Sequence, residues 1–196
     1  MCGIKKLTGV FILMIALSFS ISASEEEKNL LRNGGFEELT GQGAPLGWSS
    51  PWPTEGISLS EDVKWSGSYA LCITLDDNKK RFCLPQYLPP GTFEPNTTYR
   101  LTCYIKTKDV IPDTTNKLYP TYTGAGFQIM VKAGEMNLFC PSPLFTGTIP
   151  WTAQQFTFTT PKEISKTQPY FRAILDYATG TVWFDDLRLE KVEKVN

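Results

Sequence analysis

The chain has 196 residues, with 19 Lys and Arg against 20 Asp and Glu and a formal net charge of −1 at pH 7. No basic patch is interleaved with aromatic side chains, so we expect no nucleic-acid partner. Histidine is absent, which excludes a Ser-His-Asp or Cys-His catalytic arrangement and any histidine-bearing zinc site.

Residues 1–24 have the pattern of a secretion signal peptide. Lys5 and Lys6 supply the positive start, residues 10–19 the apolar stretch, and residues 22–24 a small-residue cleavage site. The apolar stretch is roughly a dozen residues, shorter than the ~20 that a membrane span needs. We therefore predict a secreted, periplasmic or cell-surface protein whose single domain covers residues 25–196, with an uncleaved membrane anchor as the alternative.

Acidic motifs lie at both ends of the predicted mature chain. Residues 33–38 read Asn-Gly-Gly-Phe-Glu-Glu, and residues 182–189 read Val-Trp-Phe-Asp-Asp-Leu-Arg-Leu. A two-sheet sandwich usually brings its first and last strands together. We therefore expect the acidic side chains of both motifs to lie close to one another, where they need a cation or solvent.

Between these ends, runs rich in Val, Ile, Thr, Tyr and Phe alternate with a period of two and are separated by turn signals, with no helical periodicity. The pattern predicts an all-β sandwich of seven or eight strands. The irregular stretch 109–124 is predicted to form a loop over one sheet, and loops of that length are more often functional than idle. The predicted strands are 69–75, 82–88, 98–107, 126–133, 154–160, 170–177 and 181–192.

Four cysteines follow the leader and could pair in an oxidising compartment. A two-residue hairpin turn at Asp77 and Asn78 would place Cys72 and Cys83 directly opposite each other, at a separation that a disulfide accepts. The alternative is that these cysteines are free and behave as small apolar residues.

Alternation also divides each strand into an inward and an outward side. Outward positions carry Tyr104, Gln128 and Arg172, and if their strands share a sheet they form a polar groove with flat rings that suits a sugar chain. The inward positions are Tyr99, Leu101, Cys103 and Ile105 in one strand, Phe127, Ile129 and Val131 in another, and Phe171, Ala173 and Leu175 in a third.

Several short motifs occur in the order typical of one protein family. They are the segments 33–38, 47–48 (Gly-Trp), 65–71 (Trp-Ser-Gly-Ser-Tyr-Ala-Leu), 95–101 with 105–107, Trp151 before 156–158, and 180–187. Together the sequence resembles the extracellular carbohydrate-binding modules of the galactose-binding-like superfamily that bind xylan and glucan. The resemblance covers nearly all of the predicted mature chain and implies a β jelly roll of two antiparallel sheets.

The same resemblance implies a structural calcium ion that joins the N-terminal strand to the last strand. Carried over by motif, Glu37 and Asp185 would be carboxylate ligands, with main-chain carbonyls of residues 64–68 assisting. Calcium takes six to eight oxygen ligands of this kind. The alternative is that these acids are solvated charges at strand ends.

The resemblance also implies sugar binding through aromatic side chains, although no binding residue carries over from the family. Sugar rings present apolar C–H faces to aromatic rings, and their hydroxyls need amide, guanidinium or carboxylate partners. For each candidate aromatic residue the alternative is that it packs under a loop. Three other aromatics are assigned to the structural framework because they lie in framework motifs: Trp48, Trp151 and Trp183. The predicted ligand-binding residues are Trp52, Tyr87, Tyr104, Tyr119, Tyr122, Gln128 and Arg172.

Catalysis is not expected from this sequence. Glycoside hydrolysis needs two carboxylates roughly 5 to 10 Å apart across a cleft, and no strand shows acidic residues alternating on one side. The predicted function is therefore a non-catalytic, secreted domain that binds polysaccharide. A structural or adhesive surface domain that binds a protein partner is the alternative.

Overall fold

The structure is a computed structural model that describes residues 29–49, 52, 55–116, 122–133 and 136–192. The predicted signal peptide therefore lies outside the described residues. Within the described part there is no helix long and apolar enough to cross a membrane. The strands are β1 Ile57–Ser60, β2 Ala70–Leu75, β3 Arg81–Tyr87, β4 Thr98–Pro112, β5 Gly124–Ala133, β6 Met136–Pro141, β7 Gly147–Thr159, β8 Tyr170–Asp176 and β9 Ala178–Lys191.

The strands form two antiparallel sheets, which confirms the predicted all-β jelly-roll sandwich. The five-stranded sheet has the order β1-β2-β9-β4-β7, and the four-stranded sheet has the order β3-β8-β5-β6. All seven predicted strands are present, and β1 and β6 are additions that the sequence pattern did not indicate. Most connections cross from one sheet to the other, so neighbours in sequence are seldom neighbours in a sheet.

The core lies between the sheets and contains the inward positions that alternation predicts. Leu101 and Ile105 of β4 are 1% and 0% exposed, and Phe127 of β5 is 1% exposed. Burying large apolar side chains of this kind stabilises the folded state by roughly 1.5–3 kcal/mol each. The remaining predicted core positions are also buried: Tyr99, Cys103, Ile129, Val131, Phe171, Ala173 and Leu175.

The N-terminal segment pairs with the last strand, as predicted for a sandwich. The Leu30 N–H donates to the Leu189 carbonyl at 2.8 Å, and the Leu187 N–H donates to the Gly34 carbonyl at 3.0 Å. A Cβ on Gly34 would lie 1.9 Å from the Leu187 carbonyl oxygen, so only glycine permits this approach. We call the pairing of residues 29–36 with β9 the terminal clasp.

A one-residue corner joins the two sheets between β8 and β9. Tyr177 has a φ of 47°, a left-handed conformation that is uncommon for a residue other than glycine. Its N–H donates to the Lys80 carbonyl at 2.9 Å, and its carbonyl accepts from the Asp113 N–H at 2.7 Å. The predicted strands end at residue 177 and resume at residue 181, whereas β9 already begins at Ala178.

The predicted disulfide between Cys72 and Cys83 is wrong. Cys72 pairs with Trp183 in the five-stranded sheet, whereas Cys83 pairs with Ile174 in the four-stranded sheet. The turn after β2 carries the chain across to the other sheet instead of folding it into a hairpin. Both thiols are free and point outward on opposite sides of the sandwich, and the thiol of Cys103 is free and buried in the core.

Candidate functional site

Two of the predicted ligand-binding residues meet on the outer face of the four-stranded sheet. Gln128 of β5 and Arg172 of β8 are directly opposed partners. The Arg172 Nε donates to the Gln128 Oε1 at 2.8 Å, and the Arg172 Nη2 donates to the same oxygen. Gln128 is only 2% exposed, so its amide fixes the guanidinium of Arg172 and offers little surface of its own.

Tyrosine rings lie next to this pair. Tyr87 of β3 and Tyr170 of β8 are opposed partners whose ring centroids are 5.7 Å apart in an edge-to-face arrangement. Tyr87 is 53% exposed, and the Arg172 guanidinium carbon lies 5.9 Å from the centroid of the Tyr170 ring. An accessible aromatic ring thus stands beside a planar donor group, which is the combination that a sugar ring and its hydroxyls require.

A second guanidinium lies at the opposite end of the same face. Arg81 Nη2 and Nε donate to the buried Asp176 Oδ2 at 2.7 and 3.1 Å, and its guanidinium carbon lies 5.4 Å from the centroid of the Tyr177 ring. Burial raises the pKa of the Asp176 carboxyl, and the hydrogen bond from Arg81 opposes that rise. Because a strand advances about 3.4 Å per residue, roughly 20 Å separates Arg81 from Tyr87 along β3.

One wall of this face is formed by the segment that follows β6. Position Gly126 is on the outward side of β5, and a Cβ there would lie 2.7 Å from the Ser142 Oγ and 2.8 Å from the Leu144 Cδ2. The segment hydrogen-bonds to β5 along its edge, with the Ser142 N–H donating to the Phe127 carbonyl at 3.0 Å, and the Ser142 and Leu144 side chains cover Gly126. On β8 the outward residues Ile174 and Asp176 are also buried, so the face is not accessible along its whole length. We give the name tyrosine strip to four of its outward side chains that keep accessible surface: Arg81, Tyr87, Tyr170 and Arg172.

The predicted groove that contained Tyr104 together with Gln128 and Arg172 is wrong, because these residues do not share a sheet. Tyr104 lies in β4 of the five-stranded sheet, where its ring stacks on Trp65 with centroids 4.1 Å apart. Alternation correctly placed each side chain on the outward side of its own strand. It carries no information about which sheet a strand joins.

The other predicted ligand-binding aromatics are Trp52, Tyr119 and Tyr122. Trp52 is half-buried and packs against the core, and Tyr122 is half-buried just before β5. Tyr119 lies outside the described residues. Sugar contact by these three side chains stays a prediction.

The tryptophans assigned to the framework divide into two groups. Trp48 is confirmed as structural, because it is 6% exposed and its Nε1 donates to the Asn33 carbonyl at 3.1 Å. Trp151 and Trp183 instead lie on the outward sides of β7 and β9. Sequence reasoning also missed Trp65, which is 46% exposed although it lies in a framework motif.

The two predicted calcium ligands hold the loop that precedes β2. Asp185 Oδ2 accepts from the N–H groups of Trp65 and Ser66 at 2.9 and 3.0 Å. Both oxygens of Glu37 accept from the Ser68 N–H, at 2.9 and 3.0 Å. The loop thus turns its N–H groups towards the two carboxylates. A calcium ion bound between them would instead need the carbonyl oxygens of the loop to point there.

The described residues contain no cluster of three or more Asp, Glu or Cys that could hold a metal ion. Burial raises the pKa of Asp185 to about 6, and the three main-chain N–H groups that it accepts from partly offset this effect. Both carboxylates accept main-chain hydrogen bonds from this loop, but a carboxylate has about four lone-pair sites, so these bonds do not exclude a cation. Calcium binding stays a prediction.

Comparison with known structures supports the fold. A family 16 carbohydrate-binding module is 24% identical over 84% of this chain and 100% of its own, with a TM-score of 0.56. A xylan-binding domain of family 22 is 16% identical over 86% of this chain and 98% of its own, with a TM-score of 0.54. A cyclase from Fischerella sp. TAU is 19% identical over 86% of this chain and 99% of its own, with a TM-score of 0.56, so the fold also occurs in an enzyme.

Sequence comparison with curated proteins gives no significant match. The family model described as "Carbohydrate binding domain" matches residues 28–179, which is most of the chain. This match agrees with the order of motifs in the sequence and with the two-sheet architecture. The chain therefore belongs to the carbohydrate-binding domain family.

Proposed function

We propose that this protein is a secreted, non-catalytic module that binds a polysaccharide along the tyrosine strip of the four-stranded sheet. The observation that carries the proposal is the exposed ring of Tyr87 beside Tyr170 and Arg172. The ring offers an apolar surface to the C–H face of a sugar. The guanidinium, fixed by Gln128, donates hydrogen bonds to the hydroxyls.

The extent of the strip suits a polymer better than a single sugar. Aromatic and guanidinium groups occur at both of its ends, with Tyr87 and Arg172 at one and Arg81, beside the neighbouring Tyr177 ring, at the other. Between them the β3 side chains Cys83 and Pro85 are half-buried and Ile174 of β8 is fully buried, so contact with a sugar chain is limited to a few side chains. Because such a surface buries little area per sugar unit, we expect dissociation constants on the order of 1 mM to 1 μM.

Affinity electrophoresis against xylan, mixed-linkage β-glucan, mannan, pectin and alginate tests the proposal. We expect at least one of these polymers to retard the wild-type protein. Replacing Tyr87 by Ala removes the stacking ring, whereas Tyr87→Phe keeps it. Ile111→Ala is the matched control, because Ile111 is an exposed apolar side chain, 62% accessible, outside the strip.

We expect Tyr87→Ala to weaken retardation roughly tenfold, equivalent to about 1.4 kcal/mol. Tyr87→Phe and Ile111→Ala should migrate like the wild type. Arg172→Lys keeps the charge but loses the planar fork, so it should also weaken binding. Unchanged migration in all five polymers, together with co-purification of a protein partner, would favour an adhesive role and refute the proposal.

A further inference from the structure

A second group of aromatic rings lies on the other side of the sandwich. Trp65 and Tyr104 are stacked, with centroids 4.1 Å apart and an interplanar angle of 15°. The Trp151 ring is 6.5 Å from that of Trp65 and tilted by 58°. These three rings, which we call the aromatic platform, lie on the outer face of the five-stranded sheet.

The platform is held in place by the main chain and by buried groups. The Trp65 N–H donates to the Asp185 Oδ2 at 2.9 Å, and Asp185 is 0% exposed. The next residue, Ser66, donates its N–H to the same oxygen and its hydroxyl to the Asp186 Oδ1 at 3.1 Å. An indole that is 46% exposed is therefore anchored at its own backbone and stacked on Tyr104, and a ring held in this way loses little conformational entropy when a ligand binds.

An open groove of about 540 Å³ adjoins the platform. Its lining combines one ring with an amide, a hydroxyl, a carboxylate and a guanidinium, from Tyr104, Gln155, Thr102, Asp186 and Arg188. Planar polar groups of these kinds bind sugar hydroxyls, and the ring accepts a C–H face. The single carboxylate and the single guanidinium balance each other, which favours a neutral sugar over a charged one.

We propose that the aromatic platform and its groove form a second saccharide-binding surface for a neutral pyranose chain. The tyrosine strip and the platform lie on opposite outer faces of the sandwich. One protein molecule therefore holds two separate glycan chains and bridges them. The bridging rests on the proposed function, whereas binding at the platform does not.

Stoichiometry tests the second surface directly. Isothermal titration with xylohexaose, cellohexaose and mannohexaose should give two hexasaccharides per protein for the sugar that binds. Trp65→Ala should reduce this number to one, and Tyr104→Ala should do the same, because each removes half of the stacked pair. The affected surface should bind at least tenfold more weakly, which corresponds to about 1.4 kcal/mol.

Matched variants separate binding from folding. Trp65→Ala keeps the backbone N–H that Asp185 accepts, so its melting temperature should stay close to that of the wild type. Tyr104→Phe keeps the ring and should retain two sites. Ile111→Ala removes an exposed apolar side chain from the same strand as Tyr104 and should also retain two sites.

Bridging has its own readout in polymer solution. The wild-type protein should raise the viscosity of soluble xylan or mixed-linkage β-glucan, whichever polymer it binds. Trp65→Ala and Tyr87→Ala should each abolish that rise while still binding the polymer through the remaining surface. A variant with both changes should not bind.

The outcomes distinguish the two proposals. One hexasaccharide per protein, unaffected by Trp65→Ala and Tyr104→Ala, overturns the second surface and leaves the tyrosine strip standing. Loss of all binding in Trp65→Ala, with no effect of Tyr87→Ala, supports the platform and refutes the strip. Absence of binding by the wild type to every probe overturns both.

Discussion

The replacement Gly34→Ala should break the terminal clasp and lower stability measurably. The added Cβ would lie 1.9 Å from the Leu187 carbonyl oxygen and 2.9 Å from its carbonyl carbon, and neither main-chain atom can rotate away. Relief of the clash requires residues 29–36 to move off β9. That movement costs the hydrogen bond from the Leu187 N–H to the Gly34 carbonyl at 3.0 Å.

The expected loss has two parts. Overpacking of a tight site costs about 1–3 kcal/mol, and each main-chain hydrogen bond lost costs about 0.5–1.5 kcal/mol. The sum is about 1.5–4.5 kcal/mol, and at about 2–4 °C per kcal/mol for a chain of this size the melting temperature should fall by about 3–18 °C.

Circular dichroism melts and urea titrations of the two proteins measure this difference. Gly41→Ala is the matched control, because a Cβ at Gly41 would have no atom within 4 Å, and its melting temperature should stay within about 2 °C of the wild type. Equal melting temperatures for Gly34→Ala and the wild type would refute the close approach on which the terminal clasp depends.

Three further predictions concern charge, thiols and metal. Arg81→Ala leaves the buried Asp176 carboxylate without this ion pair. Because the Arg81 side chain is partly exposed, we expect the free energy of unfolding to fall by only about 1–3 kcal/mol. Without the guanidinium the pKa of Asp176 rises further, so the variant loses more stability as the pH rises and the carboxyl ionises. The destabilisation should therefore be larger at pH 8 than at pH 5, and equal destabilisation at both pH values would contradict the ion pair. Native protein treated with iodoacetamide should be labelled at Cys72 and Cys83 and not at Cys103, whose pKa burial raises most; protection of the first two until reduction would mean that they form a disulfide after all. For the predicted calcium site, added calcium should raise the melting temperature and a chelator should lower it. An unchanged melting temperature would contradict the site.

The sequence predicted the strands and their inward sides well, because alternation is a local property of a strand. Phe127, Phe171 and Leu101 are buried for the reason the pattern gives, since residues two apart share a face. The meeting of the two chain ends was also predictable. It follows from a general property of sandwiches.

The sequence could not predict which strands pair. The β2 to β3 connection resembles a hairpin locally, yet it crosses between sheets, so Cys72 and Cys83 face opposite sides of the molecule. For the same reason Tyr104 was predicted to share a surface with Gln128 and Arg172, although β4 belongs to a different sheet from β5 and β8. Sheet membership depends on contacts between distant parts of the chain, and these contacts leave no periodic signal.

Trp65 was missed for a related reason. Its motif, Trp65-Ser-Gly-Ser, belongs to the framework, and the framework role is carried by main-chain N–H groups that Asp185 and Glu37 accept. The indole itself is therefore available at the surface. A motif can thus be structural in its backbone and accessible in its side chain, a distinction that residue letters do not make.

The one-residue corner at Tyr177 limits how such a protein can diversify. Lengthening that corner by a single residue would exchange the two sides of β9, turning Trp183 inward and Phe184 towards water. Inserted segments would therefore be tolerated elsewhere, for instance between β4 and β5, where the connection is long. Changes of ligand preference in this chain should arise by substitution at outward positions or by remodelling of long connections, while the spacing at the corner stays constant.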